Sequence, residues 1–223
     1  MTGSKNFTLL ELLICIAIIS LLGSLLLPAL SESINRAKLA ACSSNMRSAG
    51  YGINLYCADN SGYIPNNIPG METSSIPILR LPNWEVLALG RLLTGGYLTD
   101  PGIFGCPDTP GYTENDLRRN WQEVPMAWTA YLYRAQACGF AGILASAENN
   151  GKAMLIDFAC LKPSGNIVPH NFHISNILYS DGHVESHPNS PVPMEYYTVQ
   201  AETHGEIAPD CTEIWLHADI FSQ

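Results

Sequence analysis

The chain has 223 residues, of which 47% are hydrophobic and only 14% are charged, and its formal net charge is −9. A soluble domain usually carries about 25% charged residues, so part of the apolar content serves something other than a soluble core. The acidic balance and the lack of any Lys/Arg cluster argue against a nucleic-acid-binding protein, because phosphates are neutralised by clustered basic side chains.

Charge and cysteine are distributed unevenly along the chain. Residues 1–47 contain four basic and two acidic residues, whereas residues 48–223 contain seven basic and 18 acidic residues. Of the seven cysteines, Cys15 lies in an apolar run and six follow it. Six cysteines beyond the apolar run favour an oxidising compartment and predict at least one disulfide, with Cys106 as its favoured participant. The spacing does not fix the pairing, and no CxxC pair indicates a zinc or thioredoxin-like site.

The first predicted element is a membrane-spanning helix. Residues 12–30 contain no charged side chain, and at 1.5 Å per residue they reach about 30 Å, the thickness of the bilayer hydrocarbon core. A cleaved secretory signal ending near Ala29-Leu30-Ser31 is one alternative, although the run is longer than the usual apolar region of such signals. A plain signal anchor is a second alternative.

Glu11 lies at the edge of the apolar run, where a carboxylate is costly unless it is paired. If the chain were cut between Asn6 and Phe7, Glu11 would lie four residues from a new α-amine. The amine of a neighbouring subunit could then neutralise this carboxylate inside an apolar bundle. This interpretation predicts a role for Glu11 in assembly.

The segment Lys5-Asn6-Phe7-Thr8-Leu9-Leu10-Glu11-Leu12-Leu13-Ile14 resembles the class III prepilin signal of type IV pilins and type II secretion pseudopilins. The resemblance implies that a prepilin peptidase removes residues 1–6 and that Phe7 becomes the methylated first residue. It also implies that Pro28 kinks the helix. Asn6 stands where the family usually has Gly.

The helix is expected to continue beyond the membrane, from about Thr8 to Asp59, over roughly 75 Å. Its outer half has an apolar stripe at steps of three and four residues, which predicts an amphipathic helix packed on its own domain. The stripe is formed by Leu27, Leu30, Ile34, Ala37 and Ala41, and then by Cys42, Met46, Ala49, Ile53 and Tyr56.

The remaining residues predict shorter elements. Residues 66–83 are expected to form a loop, and Trp84 to Leu93 a helix stopped by Gly95-Gly96. Residues 128–133 and 153–159 are expected to be strands. The four tryptophans, Trp84, Trp121, Trp128 and Trp215, are expected in the core or at its edge rather than in a sugar-binding platform.

Residues 174–187 predict a β-hairpin in which Asp181 and Gly182 form a two-residue type I′ turn. The stretch around Asp181-Gly182-His183 also resembles prepilin-like proteins marked by a His, nine residues and then Asp-Gly. Here His170 precedes Asp181 by ten intervening residues and His173 by seven.

On a strand, His183, Glu185 and His187 would project from one face, which makes them candidate ligands for a structural divalent ion. The competing interpretation is a polar hairpin face, with Asp181 present for turn geometry. No nucleophile, zinc-protease or phosphate-loop motif occurs, so no catalytic residue and no cofactor are expected.

These observations predict an α+β, pilin-like protein. Residues 1–6 would be a leader peptide, 7–30 the transmembrane half of the helix, 31–59 its amphipathic half, and 60–223 a periplasmic α+β domain. The expected function is that of a structural subunit of a type II secretion pseudopilus or type IV filament in the bacterial inner membrane. Its expected partners are the prepilin peptidase, the membrane, other pilin-like subunits and further copies of itself.

The alternative function is a membrane-tethered periplasmic binding or processing domain that does not assemble. The topology also has an alternative. One basic residue precedes the apolar run and three follow it, a count that alone would place the C-terminal side in the cytoplasm. The acidic body and the cysteines favour the periplasm instead.

Overall fold

The computed structural model describes residues 8–66, 78–134, 142–144, 149–157, 161–162, 165–166, 174–188 and 218–219. The architecture is α+β, as expected: a long N-terminal helix packs against small antiparallel sheets. The elements are α1 Leu9–Asp59, β1 Ile78–Arg80, α2 Gly90–Thr94, a 3₁₀ helix Pro101–Phe104, α3 Glu114–Glu123, β2 Ala127–Trp128, β3 Tyr131–Tyr133, β4 Ala153–Asp157, β5 Leu161–Lys162, β6 Gly165–Asn166, β7 Ile174–Tyr179 and β8 Val184–Pro188.

Helix α1 begins one residue after the predicted start and ends at the predicted residue, Asp59. Turn-forming residues end it, because Ser61 and Gly62 both adopt positive φ angles and the Gly62 N–H donates to the carbonyl of Cys57 at 2.8 Å. Pro28 lies inside the helix.

The chain forms two compact units, Met1–Ala37 and Lys38–Gln223. Within the second unit, the predicted apolar stripe is confirmed: Cys42, Met46, Ala49 and Ile53 are fully buried. Within the first unit the expected stripe is not covered, because Leu27, Leu30 and Ile34 are exposed.

The main sheet has the strand order β3-β4-β7-β8, and every neighbouring pair is antiparallel. Strand β4 is central and buried along its whole length. Gly50 of α1 lies against Leu178 of β7: a Cβ at Gly50 would meet the Leu178 Cδ1 at 3.1 Å. Glycine therefore lets the helix approach the sheet closely at this point.

Three sequence predictions for the middle of the chain need correction. The predicted helix Trp84 to Leu93 is reduced to the short α2, because residues 81–85 turn back so that the Leu81 N–H donates to the Glu85 carbonyl at 2.9 Å. Strand β1 lies inside the segment predicted as a loop. The predicted strand 128–133 is interrupted, and its two parts, β2 and β3, belong to different sheets.

The interruption has a local cause in the side chain of Thr129. Its hydroxyl donates to the Phe104 carbonyl at 2.9 Å and accepts from the Tyr131 N–H at 3.1 Å. In a continuous strand the Tyr131 N–H would bond to a neighbouring strand. Because it bonds to the Thr129 hydroxyl instead, the strand is interrupted at this point and the chain passes from one sheet to the other.

Candidate functional site

The surface that stands out for function is the N-terminal part of α1. Its large apolar side chains between Leu9 and Leu30 are all exposed. Among the described residues, α1 is the one helix long and apolar enough to cross a membrane by length and composition. An exposed apolar surface of this size marks a contact with a membrane or with another protein.

Glu11 caps the beginning of this helix. Its carboxylate accepts hydrogen bonds from the backbone N–H and the hydroxyl of Thr8 at 2.9 and 2.7 Å, and its own N–H donates to the Thr8 hydroxyl at 3.2 Å. The reciprocal bonds form a capping box. Sequence reasoning missed this role, although the Thr8-x-x-Glu11 spacing is its recognised signature.

The predicted processing residues cannot be placed in the same way. Asn6 and Phe7 lie outside the described residues, so the structure contains no geometry for the proposed cut or for the Phe7 amine. Pro28 lies within the exposed apolar segment, and its ring leaves the helix uninterrupted.

A disulfide ties the second part of α1 to the domain. Cys42 and Cys106 are bonded across 64 residues of sequence, with their Cα atoms 5.4 Å apart, which confirms the predicted involvement of Cys106. Cys57 is a buried thiol, and burial raises its pKa to about 11. A thiol with this pKa is protonated at neutral pH and therefore chemically inert.

Polar contacts beside the disulfide hold the same face of α1. The Lys38 ammonium lies 2.7 Å from the Asp108 carboxylate. The Asn45 amide donates to the Gly105 carbonyl at 3.2 Å and to the Glu114 carboxylate at 3.1 Å. The helix is thus joined to the segment 105–114 by covalent, ionic and hydrogen-bonded contacts.

A buried polar pair joins the sheet to the same helix. The Asn176 side-chain amide donates to the Asp157 carboxylate at 2.6 Å and to the Leu39 carbonyl at 3.4 Å, and its oxygen accepts from the Ser186 hydroxyl at 2.6 Å. One side chain therefore links α1, β4, β7 and β8. No sequence motif predicts this role of Asn176, because most of its hydrogen-bond partners are distant along the chain.

The C-terminal hairpin has the predicted strands but a different turn. The Tyr179 N–H donates to the His183 carbonyl and the Gly182 N–H to the Tyr179 carbonyl, each at 2.9 Å. The loop therefore has three residues, and Gly182 takes the positive φ of 91° that accompanies a bulge of this kind. The two-residue type I′ turn was wrong, because Asp181 does not adopt a positive φ. Its carboxylate instead accepts from the His183 N–H at 3.1 Å and lies 2.5 Å from the His183 Nδ1.

The candidate metal ligands share a face on this hairpin. The Tyr179 ring stacks on His183 at 4.4 Å and meets the edge of His187 at 6.5 Å, and the His187 Nε2 lies 3.5 Å from the Glu185 carboxylate. Burial lowers the pKa of His187. Within the described part of the chain, no three His, Cys, Asp or Glu side chains are grouped closely enough to hold a metal ion. His170 and His173 lie outside that part.

A further contact that sequence reasoning missed lies near the end of the chain. The buried Arg134 guanidinium donates to both carboxylate oxygens of Asp219, at 2.8 and 3.0 Å, and the Ala153 N–H donates to the same carboxylate at 2.8 Å. The Tyr179 hydroxyl donates to the Ala218 carbonyl at 3.2 Å. These bonds hold residues 218–219 against the ends of β3, β4 and β7.

Three comparisons with known proteins give no match: no protein-family model, no curated protein and no solved structure matches the chain.

Proposed function

We propose that the protein is a pilin-like structural subunit, a pseudopilin of a type II secretion system or a related type IV filament. It would be anchored in the bacterial inner membrane by α1, with its C-terminal domain in the periplasm. The observation that supports this proposal most strongly is the exposed apolar surface of α1 from Leu9 to Leu30. A filament subunit uses such a surface twice, against lipid before assembly and against neighbouring helices afterwards.

The attachment of the domain to α1 supports the same proposal. A filament transmits force from subunit to subunit, so its domain has to stay fixed to the helix that forms the filament core. The Cys42–Cys106 disulfide, the Lys38–Asp108 ion pair and the Asn176 hydrogen bonds supply such a connection. A disulfide also suits a periplasmic domain, since this compartment is oxidising.

Assembly would change the partner of Glu11. In the single chain its carboxylate is bonded to Thr8. After a prepilin peptidase removes residues 1–6, the methylated amine of Phe7 in a neighbouring copy would compete for this carboxylate. A charged pair offsets the cost of placing each charge in an apolar bundle. The role is structural, and no reaction is assigned to the protein itself.

The test is N-terminal sequencing and mass measurement of protein extracted from its native membrane. The expected product begins at Phe7 and is heavier by one methyl group. An intact Met1 or Thr2 would contradict the proposal, and a terminus near Glu32 would indicate a secreted protein instead. Crosslinking in the same membranes is expected to give a ladder of multimers.

A membrane-tethered periplasmic binding or processing domain is the second candidate. The Thr8–Glu11 capping box favours it, because a helix cap explains an acidic residue at this position without any partner subunit. Crosslinking distinguishes the two functions. A tether would be inserted and abundant in the membrane but would give no crosslinked multimers, whereas a filament subunit would give a series of them.

A further inference from the structure

The loop from Leu81 to Glu85 has an unusual residue at its tip. The Trp84 N–H donates to the Leu81 carbonyl and the Leu81 N–H to the Glu85 carbonyl, each at 2.9 Å. Tyr179–His183 forms the same pattern of bonds, with Gly182 at the position that Trp84 occupies here. Trp84 therefore adopts a φ of 67°, a conformation that a bulky side chain rarely takes. Strain of this kind is often retained where a side chain has a function.

Arg80 fixes the indole ring of Trp84 from one side. Its guanidinium carbon lies 4.3 Å from the centre of the Trp84 ring and 4.7 Å from that of Trp121. The guanidinium is almost fully buried and donates to the carbonyls of Trp121, Val124 and Pro125. Because the cation is held by three backbone bonds, it is a rigid support and not a mobile surface side chain.

Trp84 nevertheless remains 53% exposed, in contrast to the expected core or edge position. Polar groups flank it in the same turn. The side-chain amide nitrogen of Asn83 lies 3.3 Å from the Glu85 carboxylate, and the side-chain Oδ1 of Asn83 accepts from the Glu85 N–H at 3.1 Å. The loop thus combines an exposed flat aromatic ring with a fixed amide and a fixed carboxylate.

We propose that the loop 81–85 binds a neutral carbohydrate, with the exposed indole of Trp84 stacked on the C–H face of a pyranose ring and with Asn83 and Glu85 bonded to its hydroxyls. A sugar ring presents an apolar face and a rim of hydroxyl donors and acceptors, which this combination of groups complements. Glu85 and the net charge of −9 disfavour anionic polymers. The loop shares no residue with the apolar α1 segment, so the inference does not depend on the assembly of filaments.

The test uses full-length protein in a detergent that has no sugar headgroup. Retention is measured on cellulose, chitin and mannan beads, with heparin beads as the anionic comparison. We expect retention on at least one neutral polymer and elution by its soluble hexasaccharide. A titration with this hexasaccharide, followed by tryptophan fluorescence, gives the Kd.

Trp84→Gly is the decisive variant, because glycine adopts the positive φ without strain and removes the ring. We expect it to keep its thermal unfolding and to lose affinity by about tenfold or more. Trp84→Asn, which also tolerates this conformation, guards against a folding defect. Tyr51→Phe, on another exposed aromatic residue, is expected to bind as wild type does.

Three results would overturn the proposal. The first is no retention on any neutral polymer, which would leave contact with another protein as the use of Trp84. The second is retention on heparin alone. The third is an unchanged Kd in folded Trp84→Gly protein.

Discussion

Asn176 donates both its backbone N–H and its side-chain amide to the buried carboxylate of Asp157, each at 2.6 Å. Asp157 is 1% exposed, so water does not replace these donors if they are lost. This pair joins β4 to β7, and the same Asn176 amide also donates to the Leu39 carbonyl of α1.

Asn176→Ala is therefore expected to lower the free energy of unfolding by about 2–3 kcal/mol, since a buried charged group loses a donor and several contacts. Urea unfolding of the full-length protein in detergent measures this change. Ser186→Ala is the matched control: it removes one bond to the same Asn176 and should cost about 1 kcal/mol. Equal effects of the two substitutions would contradict a central role for the Asn176–Asp157 pair.

The Cys42–Cys106 bond is expected to be the largest single contribution to the attachment of α1. A disulfide that closes a loop of this length contributes about 4 kcal/mol in the chain-entropy description. Cys42→Ser with Cys106→Ser should lower the unfolding midpoint in urea accordingly.

Cys57→Ala supplies the control for the disulfide experiment, because this buried thiol forms no bridge to another described cysteine. Its urea midpoint is expected to stay sensitive to reductant. Since burial raises the Cys57 pKa to about 11, iodoacetamide should modify Cys57 only after unfolding. Mass mapping of native protein that finds Cys42 and Cys106 as free thiols would contradict the prediction.

The turn at Asp181-Gly182 makes a prediction about backbone conformation alone. Gly182 has a φ of 91°, and a Cβ placed on it would meet no atom within 4 Å. Gly182→Ala should therefore lower the free energy of unfolding by about 1–2 kcal/mol through strain and not through a clash. Gly182→Asn, which tolerates the left-handed region, should cost less. If Ala and Asn are equally tolerated, the three-residue loop is the wrong description of this turn.

His187 is expected to make stability dependent on pH. Burial lowers its pKa in the folded state, so between that pKa and the unfolded value of about 6.5 the unfolded chain binds more protons. The contribution of His187 to the free energy of unfolding should accordingly be fully present above pH 6.5 and should fall as the pH drops through this window. Melting temperatures from pH 8 to 5 measure the effect. His187→Gln should flatten the profile, and a profile unchanged by this substitution would contradict the prediction.

The features that the sequence predicts correctly depend on interactions between residues close together along the chain. Helix α1 was predicted to within one residue because apolar periodicity and the turn formers after Asp59 act locally. The hairpin strands were predicted for the same reason. The turn between them was not, because Asp-Gly fits both a two-residue and a three-residue loop, and the pairing of Tyr179 with His183 decides between them.

The residues missed by sequence reasoning depend on contacts between distant segments. Arg134 and Asp219 are 85 positions apart, and nothing near either residue indicates their pairing. The helix predicted from Trp84 to Leu93 failed for a different reason. Its apolar residues have helical spacing, but Trp84 adopts a positive φ in the loop 81–85, so the first part of the segment is not helical. The guanidinium of Arg80, which packs on the Trp84 ring, is fixed by the carbonyls of Trp121, Val124 and Pro125. Local sequence patterns do not predict contacts with such distant residues.

The last prediction separates the two roles of Glu11, helix capping and assembly. Thr8→Ala removes the Thr8 hydroxyl, which donates to the Glu11 carboxylate and accepts from its backbone N–H, whereas Glu11→Ala removes the carboxylate itself. Loss of a cap costs about 1 kcal/mol, and it affects only the first turn of a long helix. If capping were the sole role, both variants would insert normally and would form multimers to the same extent.

In a filament the two variants should differ. Glu11→Ala would leave the Phe7 amine of a neighbouring copy unpaired in an apolar bundle, and breaking a buried ion pair costs about 3–5 kcal/mol per subunit. We therefore expect Glu11→Ala to insert normally and to lose crosslinked and sedimentable multimers, while Thr8→Ala retains most of them. Glu11→Asp, which keeps the charge on a shorter side chain, should restore part of the assembly. Multimers of Glu11→Ala at the wild-type level would remove the physical basis of the filament proposal and favour the tether.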